Sequence, residues 1–218
     1  MRLMRIDHLV WYNADLAAGQ QHFAARMDAA PLYGGEHPGE GTANAVMALG
    51  PTTYLESLGR DPGQTEEGLD PEVKGLAGSG LYHWAVGGVD LAGIASRAAR
   101  AGLMGGGLVP GGRIKPDGKR LEWLCWGLRN HPYGSLVPFF IDWRGSEHPA
   151  ASAPLGGRIV SFQIRTPEAG RVSGIFRILG LEFDVIESRE SCVVATLESA
   201  RGRTELRSFA PLPRGYVI

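Results

Sequence analysis

The sequence predicts an α+β protein built from a β-α-β-β-β module used three times, the third copy degenerate. Three observations predict it. An apolar, β-rich run opens each copy: Arg5-Ile6-Asp7-His8-Leu9-Val10-Trp11, then Leu81-Tyr82-His83-Trp84-Ala85-Val86, then Arg158-Ile159-Val160-Ser161-Phe162-Gln163-Ile164. A stretch of helical periodicity and further strand-like runs follow each opening. The starts are nearly evenly spaced, as expected for one supersecondary unit reused, and such units bury a core only by packing on one another. Histidine marks the first two openings and serine the third.

In the first copy, residues 5–12 read as a strand. Asn13 and Asp15 are both suitable N-caps for a helix running to about residue 28, with Leu16, Phe23 and Met27 roughly on one face. Turn chemistry at Tyr33-Gly34-Gly35 precedes strands at 42–49 and 52–58, separated by Gly50-Pro51. Residues 60–79 are polar and rich in Gly and Pro and read as a linker. The second copy has a strand at 81–87, a helix near 91–102 after Asp90, and two strands around the Asp117-Gly118 turn, the second at 120–126. Asp-Gly between apolar flanks is a hairpin signal. A strand at 136–143 closes this copy, and 144–156 form a second linker. The third copy reads as a strand at 157–166, a helix near 168–180 ending at Gly180, and strands near 182–187, 191–198 and 203–209. Pro211, Pro213 and Gly215 suggest a loose tail. The division expected is residues 1–150 for the two paired modules (about 5–60 and 80–143) and 151–218 for the third.

The chain has 218 residues and a net charge of −1, enough length for a substantial core and no clustered basic surface. Phosphate-backbone binding needs such clusters, so nucleic acid is not an expected partner. The short basic stretch Arg113 to Arg120 surrounds Pro116-Asp117-Gly118 and reads as a solvated hairpin tip. No apolar run approaches the ~20 residues of a membrane span, so no membrane role is expected. Met1 to Arg5 leads straight into a strand without a signal-peptide core. Cys125 and Cys192 form no CxxC and read as buried, reduced thiols of a cytoplasmic protein.

Several blocks resemble a known family. They are the opening Asp7-His8-Leu9-Val10, then Gly34-Gly35-x-His37-Pro38-x-x-Gly41-Thr42-x-Asn44, then Tyr54-Leu55-Glu56. In the second copy they are Pro116-Asp117-Gly118-x-x-Leu121-x-Trp123 and Pro138-Phe139-Phe140-Ile141-Asp142-Trp143, with His148-Pro149 after it. These blocks resemble the vicinal oxygen chelate superfamily, which includes glyoxalase I, extradiol dioxygenases and bleomycin-resistance proteins, and more closely the bacterial glyoxalase-like domain proteins. The resemblance covers residues 5 to about 150; the third copy matches by layout alone. It implies two modules forming facing curved sheets around a cavity, with a divalent metal inside.

Carried over residue by residue, the resemblance makes His8, Glu56 and His83 the metal ligands. Two imidazoles and a carboxylate suit Fe, Mn, Zn, Ni or Co. The implied function is action on a small oxygenated substrate by isomerase, lyase or dioxygenase chemistry, with Glu56 and His37 as catalytic residues. The departure is the fourth ligand. The last strand of the second module offers Phe139 and Ile141 inward, and Asp142 comes one or two residues late. A metal-free protein that binds small ligands, of the bleomycin-resistance kind, is therefore the alternative. His37, Thr42, Asn44, Trp123, Phe139 and Ile141 are the expected ligand-binding residues. His37 reads either as an acid/base group or as a histidine bonding its own loop. Thr42 and Asn44 read either as cavity lining or as turn residues. His22 reads as a helix-surface residue, and His131 and His148 as turn residues before prolines. In the third module Ser161 and Arg207 replace the ligands, so the module is expected to be structural. Its open sheet face suggests a homodimer, or else a cover over the back of the main sheet within the chain.

Overall fold

The computed structural model describes residues 4–214. Its first module comprises β1 (Arg5–Asp15), α1 (Leu16–Ala24), β2 (Leu32–His37), β3 (Thr42–Gly50) and β4 (Thr53–Arg60). A short helix, α2 (Pro71–Gly75), lies in the linker. The second module comprises β5 (Ser79–Gly87), α3 (Leu91–Arg100), β6 (Val109–Ile114), β7 (Arg120–Trp126) and β8 (Phe139–Asp142). The third comprises β9 (Arg158–Thr166), α4 (Ala169–Leu179), β10 (Asp184–Glu187), β11 (Cys192–Ser199) and β12 (Gly202–Arg207).

Local chemistry sets the helix ends. The Asp15 carboxylate accepts the Ala17 N–H at 2.9 Å, so Asp15 rather than Asn13 caps α1. The helix stops at Ala24, short of the expected end, and turns carry the chain onward. At the other end of the chain, Gly180 takes a left-handed φ of 78°, and the Leu181 N–H returns to the Phe176 carbonyl at 2.8 Å. That closes α4 as the glycine signal implied.

The first two modules form one curled eight-stranded sheet in the order β2-β3-β4-β1-β5-β8-β7-β6. The first strands, β1 and β5, meet antiparallel at its centre, and each runs parallel to the last strand of its own module. The two halves are therefore related by an approximate two-fold axis between β1 and β5. The curl brings the edge strands together: a Cβ on Gly35 would strike the Ile114 carbonyl of β6.

Two irregularities interrupt the β1–β5 ladder. Ile6 and His8 oppose Val86 and Ala85, leaving Asp7 as an extra residue in β1. Val10 and Trp11 oppose His83 and Leu81, leaving Tyr82 extra in β5. Each is a β-bulge, and each extra residue immediately precedes a histidine. Bulges commonly re-aim side chains beside functional sites.

Strand alternation divides the side chains of the main sheet. Leu9, Trp11, Leu55, Trp84, Trp126 and Phe140 point outward into one core with α1 and α3. Val10, Tyr12, Leu58, Tyr82, Phe139 and Ile141 form a second cluster on the inner side. The third module packs on the outer core. Trp84 meets Phe162 at 4.7 Å and Phe183 at 5.0 Å between ring centroids, and Ile164, Phe176, Val193, Leu197 and Leu206 join the same cluster. The apolar face of the third module is thus buried within the chain. This module keeps the element order of the others but not their strand order: its sheet runs β10-β9-β11-β12, with its first strand parallel to its second. β10 and β12 are its edges.

Candidate functional site

The concave side of the main sheet encloses a cavity of about 620 Å³, within the range of small-molecule sites. His8, His37, Thr42, Asn44, Glu56 and His83 all line it, as do Trp123, Phe139 and Ile141. His8, His37, Thr42, Asn44, Glu56 and His83 are polar yet nearly inaccessible. Buried polar groups on this scale need partners, and most have them.

Asp7 organises the first histidine. Its carboxylate accepts from His8 Nδ1 at 2.8 Å, from His148 Nε2 at 3.2 Å and from Trp143 Nε1 at 3.2 Å. Burial would push its pKa up. The hydrogen bonds and positive charge of His148 and His8 outweigh that and bring it down to about 2, so Asp7 is an anion at neutral pH. An anionic carboxylate only accepts hydrogen bonds, so His8 Nδ1 carries the proton and Nε2 is left to face the cavity. Tyr54 stacks on the His8 ring at 4.7 Å. Burial first, then the charges of Glu56 and Asp7, raise its pKa, so it remains a neutral phenol.

Glu56 lies between two imidazoles. Its Oε2 is 3.7 Å from His8 Nε2 and its Oε1 is 3.8 Å from His37 Nε2. Asn44 connects the rest. Arg113 Nη1 donates to Asn44 Oδ1 at 3.2 Å, which leaves the amide nitrogen to donate to Glu56 Oε1 at 2.6 Å and to approach His37 Nε2 at 3.4 Å. His37 Nδ1 lies 2.9 Å from the Thr42 hydroxyl. In that arrangement Nδ1 carries the His37 proton and Nε2 accepts. His37 is the last residue of β2, held against Thr42 at the start of β3 rather than in an open loop. Strand pairing skips Gly34 at a bulge and resumes at Gly35, so the expected turn there is part of β2.

His83 is buried on the second module's side of the same cavity. Desolvation lowers its pKa to about 3, so it is neutral under ordinary conditions, the form in which imidazole ligates metals. Phe139 and Ile141 also face the cavity, while Asp142 is exposed and its carboxylate accepts the Arg144 N–H at 3.1 Å. Among the described residues, no group of three or more His, Cys, Asp or Glu side chains is arranged to hold a metal ion. The His8–Glu56 pair does suit one. His8 Nε2 and Glu56 Oε2 face each other at 3.7 Å, a spacing that a shared proton or a cation could bridge.

Three residues of this site were not legible as such. Asp7 and His148 belong to recognisable blocks, but their contact spans two modules; His148 also accepts the Ala150 N–H at 3.2 Å, in keeping with its turn position. Arg113 was expected at a solvated tip and is instead buried. Gly34 makes room for it, since a Cβ there would collide with Arg113 and Asn44. Lys119 and Arg120, nearer the Asp117-Gly118 turn, are exposed as expected.

Paired β-α-β-β-β modules curled around a cavity with histidines on both first strands define a protein of the vicinal oxygen chelate class. The model of the glyoxalase-like domain matches residues 6–179, and the chain belongs to that family. The match runs past the paired modules through β9 and α4. No curated protein matches the sequence. Among solved structures, a hypothetical protein from Staphylococcus aureus is 15% identical, with 99% of this chain and 88% of that one covered and a TM-score of 0.65. A mutant of 4-hydroxymandelate synthase from Streptomyces coelicolor is 15% identical over 95% of this chain and 63% of that one, at a TM-score of 0.52. Methylmalonyl-CoA epimerase from Mycobacterium tuberculosis is also 15% identical, covering 62% and 84%, at 0.43. At these identities the first two likenesses show the fold alone.

Proposed function

We propose that this chain is an enzyme that uses a divalent metal and acts on a small oxygenated substrate in the cavity of the main sheet. The observation that supports it is the facing pair His8 Nε2 and Glu56 Oε2, with the His8 tautomer fixed by an anionic Asp7. His8 and Glu56 would supply the first two ligands of an ion of the Fe, Mn, Zn, Ni or Co type, and His83, which lines the same cavity, would have to move towards them to become the third. When bound, such an ion supplies Lewis-acid polarisation of substrate oxygens. The chain's own residues supply the rest. His37 Nε2, without a proton in the arrangement described, takes a proton from the substrate; its Nδ1–H stays on Thr42, which keeps the ring in place. Glu56 Oε1, steadied by Asn44, is the neighbouring acceptor. Trp123, Phe139 and Ile141 exclude water and pack the apolar part of the substrate. Isomerase, lyase and dioxygenase reactions all begin within this frame.

Calorimetric titration of chelator-stripped protein with Mn(II) and Zn(II) tests the reading. One ion per chain is expected for the wild type, with binding weakened at least tenfold in a His8→Ala/His83→Ala double variant. Equal binding by both proteins rules the site out. A metal-free ligand-binding role is the second reading, supported by Phe139 and Ile141 standing where a fourth carboxylate would be. Two further expectations remain proposals. Cys125 and Cys192 are buried and form no disulfide, which suits a reducing, cytoplasmic setting. A homodimer now rests on the edge strands of the third module, since its apolar face is covered; light scattering of the full chain tests it, and a monomer at working concentration excludes it.

A further inference from the structure

Arg113 is the buried group for which that proton chemistry has no use. It is 4% exposed and lines the cavity, yet it forms no ion pair among the described residues. Its Nη1 donates to the Gly34 carbonyl and to Asn44 Oδ1. Nε and Nη2 have no hydrogen-bond partner among the described residues, and the side chain lines the cavity. A guanidinium carries five donors in a planar fork matched to carboxylate geometry, and a buried cation without a counter-charge is costly. The nearest acidic group in its network, Glu56, is reached only through Asn44 and faces His8 and His37.

The other carboxylates that line the cavity do not neutralise Arg113. Asp70 caps α2 through the Glu72 N–H at 2.6 Å, and Glu72 is occupied by the Tyr82 hydroxyl and by Arg214. Glu40 is exposed on the β2–β3 turn. The seat for the arginine is built, because Gly34 leaves it the space a Cβ would fill. The cavity lining is also rich in apolar side chains: Trp123 stands on β7 beside the strand that carries Arg113, and Val10, Leu58, Phe139 and Ile141 line the same space.

From this juxtaposition we propose that Arg113 is a substrate-binding residue and that the substrate is a small carboxylic acid with an aromatic or branched apolar part. The carboxylate meets the open edge of the Arg113 guanidinium, and the apolar part lies against Trp123, Phe139 and Ile141. The proposal rests on the cavity being the substrate site, but not on a metal being bound there.

The test compares benzoate with benzamide, and phenylacetate with phenylacetamide, by isothermal calorimetry on the full chain. Both chelator-treated and Mn(II)-loaded protein are used. The acid of each pair should bind at least tenfold more tightly than its amide, in both forms of the protein. Arg113→Met should abolish the preference and Arg113→Lys should keep part of it, since a point charge replaces the fork. Equal binding of acid and amide by the wild type overturns the proposal, and so does an unchanged preference in folded Arg113→Met. Should Arg113→Met fail to fold, the wild-type guanidinium N–H resonance that is missing from Arg113→Lys decides: benzoate must shift it and benzamide must not. A preference confined to the Mn(II)-loaded form would mean that the ion, not Arg113, holds the carboxylate. If metal fails to bind while the acid preference persists, the metal reading falls and this one stands.

Discussion

Lowering the pH from 7 to 5 in the presence of chelator should destabilise the protein chiefly through His83. Its pKa is 6.5 when exposed and about 3 in the folded chain, because burial penalises the imidazolium. The sign follows from proton counting. Below pH 6.5 the unfolded chain binds a proton at this residue that the folded chain refuses, so stability falls as pH drops and continues to fall until about pH 3. The slope is ~1.4 kcal/mol per pH unit once well below 6.5, so the loss from pH 7 to pH 5 is about 2 kcal/mol. His22 and His131 are also lowered by desolvation and add to the wild-type slope. A His83→Gln variant retains those two and lacks the titrating ring. Urea denaturation of both proteins at pH 7, 6 and 5 therefore isolates the difference. The variant should lose about 2 kcal/mol less over that range. Parallel losses in the two proteins would show that His83 is not the desolvated neutral group described here.

Asp7→Asn should cost roughly 2 kcal/mol at neutral pH, from a carboxyl pKa lowered from 3.8 to about 2. A lowered carboxyl stabilises above its unfolded pKa, so the gap between wild type and variant should close as pH falls from about 4 towards 2; a gap that is unchanged over that range in urea titrations contradicts the assignment. Phe176→Ala removes a ring shared by α4 and the outer core and should cost roughly 3–5 kcal/mol in chemical denaturation, whereas a loss below 1 would mean the third module is only loosely attached. Gly34→Ala should leave the outer core intact but displace Arg113 and Asn44, so near-ultraviolet circular dichroism should stay native while benzoate binding weakens at least tenfold.

The inner and outer faces of the paired modules were readable because alternation and histidine placement carry that information locally. Leu9, Trp11 and Trp84 point outward and His8, Val10 and His83 line the cavity, as a period of two requires. Arg113 was unreadable for a different reason. It lies four residues before the Asp117-Gly118 turn, next to genuinely exposed cations, and only the curl of the sheet brings β6 against Gly34 of β2. No local pattern encodes the meeting of the first and last strands of a sheet. The contact between Asp7 and His148 is equally non-local, joining β1 to the linker after β8. The strand order of the third module was hidden because element order does not specify pairing. β10 is short and pairs with β9, where the equivalent strand of the other modules sits at the far edge. The helix end at Ala24 shows the usual limit of periodicity: Met27 is fully buried and fits the helical face, but turns carry it there.

The two bulges on β1 and β5 make the site a matter of chain length as well as chemistry. Asp7 and Tyr82 are supernumerary: Ile6 and His8 on one strand, and Leu81 and His83 on the other, already alternate correctly without them. Each first strand therefore carries an extra residue beside its histidine, Asp7 bonding His8 and Tyr82 packing on His83, and leaves the pleat on either side undisturbed. The packing instructions and the working parts are written in separate letters. A deletion of Tyr82 should keep Leu81 outward and His83 inward, so a protein lacking it can fold on the same core with a roomier cavity. Divergence of this fold by gain or loss of a residue at Tyr82 would alter what the cavity admits, and at Asp7 how His8 is held, while sparing Trp11, Trp84 and Phe140, which hold the layers together.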